Sequence, residues 1–134
     1  MDFSLNAEQQ LLKDSVDKYM AEQYSSEQRR AYMSEAKGFS QKVWAEFAEL
    51  GWLTIPFAED LGGFGGSVVD TSIVMEALGR AVAMEPYMAT VLLGGQAIAR
   101  GSNEQLKANY LEKILAGECQ AALAYLERRS RHQL

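Results

Sequence analysis

The stretch FAEDLGGFGGS, residues 57–67, sets Gly62, Gly63, Gly65 and Gly66 within five positions, between an apolar run (WLTIP, 52–56) and a helix-patterned one. Such a loop is a phosphate cradle, a hinge or a tight turn. A Walker-type loop needs a lysine followed by Ser or Thr after its last glycine, and Gly66 is followed by Ser67 and Val68. A dinucleotide fingerprint takes Gly63 and Gly65 as its first two glycines, but its third position falls on Val68. The helix start that follows is a weak attractor for anions. Positive φ and close backbone approach account better for glycines here, so the loop is read as a corner.

Working outward from that corner, the pattern predicts an all-α chain of up to six helices. Ser67 caps the fourth, with Asp70 in its first turn and a stripe of Ile73, Ala77 and Ala81 flanked by Val74 and Leu78. Upstream, Asn6 with Gln9 opens the first helix, along which Leu12, Val16, Tyr19 and Met20 recur at helical spacing. A weaker second helix runs over residues 26–37 and stops at Gly38. The third is capped by Ser40, stapled by Phe39 and Trp44, and closed by Gly51. WLTIP reads as a short extended link. Downstream, Pro86 stands at the first position of a fifth helix closed by Gly101. A capping box from Ser102 to Gln105 starts a sixth, which buries Leu106, Tyr110 and Ile114 and ends at Gly117. Beyond it ECQAALAYLE has no cap and reads as either a strand or a fraying helix.

The totals exclude several functions. A net charge of −5 argues against nucleic-acid binding, which needs a concentrated basic face. RRSRH, residues 128–132, is the one basic cluster, and a terminal charge run of this kind reads as solvated linker. The most apolar stretch, residues 87–99, is too short to cross a bilayer and contains Gln96, so no membrane role is expected. Cys119 is the only cysteine and no signal-peptide pattern is present, which points to a reducing, cytoplasmic setting. With His132 as the only histidine, neither a His/Cys metal site nor a histidine-based nucleophilic triad is expected. Glu76, Glu85, Glu104, Glu112 and Glu118 lie on or beside helices; each is a potential general base, yet helix-face and capping roles account for them far better, and no spacing picks out a pair.

Three segments carry a family resemblance. IPFAEDLGGFGGSVVDTSIVMEALGR, residues 55–80, resembles the N-terminal domain of acyl-CoA dehydrogenases, where a Pro-acidic-Gly-Gly-x-Gly loop precedes a helix ending in Glu-x-Leu-Gly-Arg. Glu76, Leu78, Gly79 and Arg80 match that ending. GSNEQLKANYLEKILAGE, residues 101–118, is similar to the family's Gly-polar-Glu-Gln-Lys-x-x-Tyr-Leu-x-x-Leu-x-x-Gly-Glu stretch. FSLNAEQQLLKDSVDKYMAE at the start resembles its first helix. EPYMATVLLGG is closer to a bacterial branch with pimeloyl-CoA and steroid-derived acyl-CoA members, parts of which assemble catalytic with noncatalytic subunits.

The resemblance implies a helical N-terminal domain over residues 1–117, with 118–134 as linker or the start of a strand of the middle β-domain. It implies FAD and an acyl-CoA substrate in the complete protein, and assembly as a homo- or hetero-oligomer, dimer or tetramer. The family's glutamate base and most flavin contacts lie in later domains, so no catalytic residue is expected in this chain. In the tail Glu127 matches a family glutamate, but Leu126 stands where Ser or Thr is usual. Family position puts Met88, Ala89 and Leu92 of the fifth helix beside the acyl channel; periodicity alone favours reading them as core. Small Ala89 with Gly94 and Gly95 would leave room for a bulky acyl group. The alternative reading is a noncatalytic helical interaction module or partner subunit.

Overall fold

The computed structural model of the protein describes residues 4–126. Its six helices follow the predicted order. Helix α1 (Ala7–Gln23) begins with the expected capping box: Gln9 N–H donates to Asn6 Oδ1 at 2.8 Å and Asn6 N–H to Gln9 Oε1 at 3.1 Å. Helix α2 (Ser26–Met33) ends before Lys37; turns then carry the chain to Gly38 at φ 74. Helix α3 (Gln41–Glu49) is capped by Ser40, and its staple is an edge-on contact of Phe39 with Trp44 at 6.5 Å between ring centroids. At its end Gly51 takes φ 75, Trp52 N–H reaches Phe47 O at 3.0 Å and Gly51 N–H reaches Ala48 O at 2.9 Å, the paired bonds of a Schellman close. The Trp44 indole N–H donates to the carbonyl of Gly117 at 2.9 Å.

Residues 52–56 are not extended as expected. They form successive tight turns, with Thr54 N–H on Gly51 O and Phe57 N–H on Thr54 O, each at 3.1 Å. The turns bury Trp52, Leu53, Ile55 and Phe57 and leave inward carbonyls for the glycine loop to cover. Loop donors meet them one for one: Gly63 on Ala58 O (3.0 Å), Phe64 on Thr54 O (3.0 Å), Gly65 on Phe57 O (2.7 Å) and Gly66 on Ile55 O (2.8 Å). The corner is therefore a small backbone lattice folded over its own approach.

Helix α4 (Val68–Ala81) packs along α1 and buries Ile73, Val74, Ala77 and Leu78. Ser67 and Asp70 form its capping box, and Val82 closes it in the left-handed region at φ 53. Helix α5 opens in π register (Met88–Gly95) and continues as α-helix (Gln96–Arg100). Helix α6 runs Glu104–Leu106, then a π turn Lys107–Leu111, then Glu112–Leu115. Its cap is Asn103, one residue past the expected Ser102; Asn103 Oδ1 accepts from Gln105 and Leu106 N–H at 3.1 Å each. The π turn adds a residue to one turn and rotates the buried stripe. Leu111, Ile114 and Leu115 are buried, while Leu106 and Tyr110, expected inside, are exposed.

The centre of the core is aromatic. Phe47 lies 4.8 Å from Trp52 and 5.9 Å from Tyr19, centroid to centroid, and the Tyr19 hydroxyl donates to Glu46. Among the described residues no strand forms; 119–126 are neither helix nor strand.

Candidate functional site

The three residues placed on the acyl channel occupy two grooves rather than one wall. Met88, 57% exposed, and part-buried Ala89 line a groove of about 440 Å³ between the end of α4 and the head of α5, opposite Met75, Leu78, Gly79 and Val82. Leu92, one turn on, borders a shallower groove of about 320 Å³ with Leu93, Gln96, Ala97, Arg100 and Leu123. Leu92 also packs against the core. Met75, Val82 and Leu123 escaped sequence reasoning; none shares an element or a helical period with Met88.

One expectation fails. Gly94 and Gly95 do not leave space for a ligand, because the protein fills it. A Cβ on Gly94 would stand 2.8 Å from the Ala121 Cβ, and one on Gly95 would stand 2.8 Å from the Phe57 ring and 2.9 Å from the Thr90 carbonyl. Ala89 remains the small residue facing open volume.

Glu85 is the one buried carboxylate among the five candidates; Glu76 and Glu104 are exposed and paired with Arg80 and Lys107, and Glu112 and Glu118 are exposed. It lines the Met88–Ala89 groove, but its oxygens are engaged. The Tyr24 hydroxyl donates to one at 2.5 Å and Ser40 N–H to the other at 3.3 Å, while Met84 N–H donates back to the Tyr24 hydroxyl at 2.8 Å. The group thereby ties α1, the cap of α3 and the α4–α5 turn together. Burial pushes its carboxyl above the usual 4.5, outweighing those hydrogen bonds. An acid raised by folding stabilises fully below its unfolded value and loses that contribution as pH climbs through the folded one. Glu85→Gln is therefore expected to gain stability relative to the wild type as pH rises from about 4.5 toward neutrality. Urea midpoints of the two proteins across that range test this; a pH-independent difference would refute it.

The corner does not fit a flavin pyrophosphate. Its four N–H groups at residues 63–66 already donate to carbonyls of the same loop system, leaving no cradle. A wider groove, about 740 Å³, runs between the start of α1, the end of α3 and the outer side of the corner. Leu11 and Phe64, each 70% exposed, stand over it, and its lining holds Glu8 and Asp70 without a lysine or arginine. His132 and Glu127 lie outside the described residues. No helix among the described residues is long and apolar enough to cross a membrane.

A family model for the acyl-CoA dehydrogenase N-terminal domain matches residues 6–118. This chain belongs to that family. It is 32% identical over 126 residues to mitochondrial isovaleryl-CoA dehydrogenase of Bos taurus, covering 92% of this chain and 29% of that one. It is 33% identical over 86 residues to acyl-CoA dehydrogenase IpdE2 of Mycobacterium tuberculosis, covering 63% of this chain and 27% of the relative. The crystal structure of the ChsE4–ChsE5 complex from Mycobacterium tuberculosis superposes with a TM-score of 0.81 at 27% identity, over 91% of this chain and 34% of that one. The chain thus spans about a third or less of the acyl-CoA dehydrogenases it matches.

Proposed function

We propose that this chain is the N-terminal helical domain of an FAD-dependent acyl-CoA dehydrogenase acting across the α,β carbons of an acyl-CoA thioester in the cytoplasm. The observation that carries the reading is the family match over residues 6–118, joined to an open apolar groove at the head of α5. The domain supplies one wall of the acyl pocket through Met88 and Ala89, with Leu92 beyond them. The catalytic base and most contacts to FAD come from later domains, toward which residues 118–134 lead. The flavin when bound accepts hydride from the acyl chain; this domain binds and orients that chain and keeps water from it. Assembly with further chains, as a homo- or hetero-oligomer, accords with the two-component ChsE4–ChsE5 relative.

Replacing Ala89 by Phe puts a ring into the groove. Activity of the complete enzyme is expected to fall first, by tenfold or more at about 1.4 kcal/mol, on bulky acyl groups and least on short ones. Equal loss across all acyl sizes would sink the assignment of Ala89.

One observation favours a noncatalytic interaction module or partner subunit as second reading. The groove of about 740 Å³ lies away from α5 and carries exposed Leu11 and Phe64. The intact mass of the native polypeptide separates the two: well above 14.9 kDa supports the enzyme domain, near 14.9 kDa the module.

A further inference from the structure

Thr90 is fully buried on the face of α5 turned away from solvent, and its side chain is spent on one residue of another segment. Its hydroxyl donates to the Ala121 carbonyl at 3.2 Å and accepts from the Ala121 N–H at 3.3 Å. One side chain thus satisfies both backbone groups of Ala121, as a neighbouring strand would. Gly94, one turn on, admits the Ala121 methyl where its own Cβ would be. Upstream, Glu118 and Cys119 N–H are held by the Lys113 carbonyl at 2.9 and 3.1 Å. Among the described residues, Ala121 is the last in the chain to make a hydrogen bond. Two residues later Leu123 stands across the groove from Leu92.

We infer that Thr90 is a positioning residue for acyl-chain selection: by gripping Ala121 it fixes Leu123 against the Leu92 groove, and Leu123 limits how far an acyl chain extends along α5. This rests on the acyl-wall reading of α5. It differs from that reading in assigning discrimination to a residue outside the helix, held by a hydroxyl that touches no ligand. A Leu123 released from its register leaves apolar groove surface open, and each methylene newly buried there strengthens binding about fourfold.

The test uses the FAD-loaded complete protein and a series of straight-chain acyl-CoA thioesters, with hydrogen exchange at the Ala121 amide as a readout independent of turnover. Thr90→Val keeps the shape and removes the hydroxyl; it is expected to speed Ala121 exchange at least about tenfold and to tighten binding of the longer thioesters, in the same direction as release of Leu123. Thr90→Ser keeps the hydroxyl and is expected to restore wild-type exchange and wild-type discrimination. Leu123→Ala is expected to leave Ala121 exchange unchanged while longer thioesters gain about fourfold per added methylene. Faster Ala121 exchange in Thr90→Val with an unchanged chain-length profile overturns the inference, as does an unchanged profile in Leu123→Ala, which stands even if Thr90→Val fails to fold. A wild-type protein that binds no acyl-CoA of any length overturns the acyl-wall reading itself, and this inference with it.

Discussion

Phe47→Ala is expected to cost about 3–5 kcal/mol of folding stability. The ring is fully buried between Trp52 and Tyr19, at centroid distances of 4.8 and 5.9 Å. Neither neighbour is free to move into the space. Tyr19 is tethered to Glu46 through its hydroxyl, and Trp52 is held by its backbone bond to Phe47 at the end of α3. A cavity that its walls cannot close carries its full cost, beyond the lost transfer free energy of the ring. Set against a total of about 5–15 kcal/mol for an ordinary domain, the loss lowers the melting temperature by about 10 °C or more. Urea denaturation of variant and wild type measures it. A loss below about 1.5 kcal/mol would show that the aromatic cluster repacks, at odds with the tethering described.

The second large effect sits in the glycine corner. An alanine Cβ at Gly63 would lie 2.1 Å from the Phe57 carbonyl oxygen and 2.4 Å from its carbon. These are backbone atoms, so no rotamer change relieves the clash; the loop must move away from the turns it covers. That motion opens the Gly65 bond to Phe57 O and the Gly66 bond to Ile55 O, and Gly63→Ala is expected to cost about 3 kcal/mol. The same substitution at Gly79 has the opposite sign. Gly79 lies inside α4 with nothing within 4 Å of an added Cβ, so Gly79→Ala is expected to stabilise by about 0.5–1 kcal/mol. Thermal melts of the pair give the comparison; equal and small effects would mean the corner tolerates displacement.

What the sequence disclosed about this fold was mostly what neighbours within a few residues decide. Asn6 with Gln9, Ser40, Ser67 with Asp70 and Gly51 act on donors and carbonyls one turn away, and each takes its predicted part. The π turn of α6 breaks the 3.6-residue period that assigns Leu106 and Tyr110 to the buried stripe, and both are exposed. Gly94 and Gly95 illustrate the same limit for the site. Small side chains signal close approach, but whether a ligand or the protein approaches depends on Ala121 and Phe57, which are distant in sequence. For the corner, elimination of phosphate motifs and the later accounting of its N–H groups lead to one answer.

The bond from Trp44 to Gly117 spans 73 positions of chain. During synthesis, at about 5–20 residues per second, the tryptophan waits about 4–15 s for its acceptor to be made. Over that interval α3 has its cap and its staple but an unsealed flank, because Leu111 and Leu115 of the same core are also still to come. A growing chain of this kind is exposed to chaperones and to self-association until its sixth helix has emerged from the ribosome, and a pause placed after that emergence would favour folding more than one placed earlier.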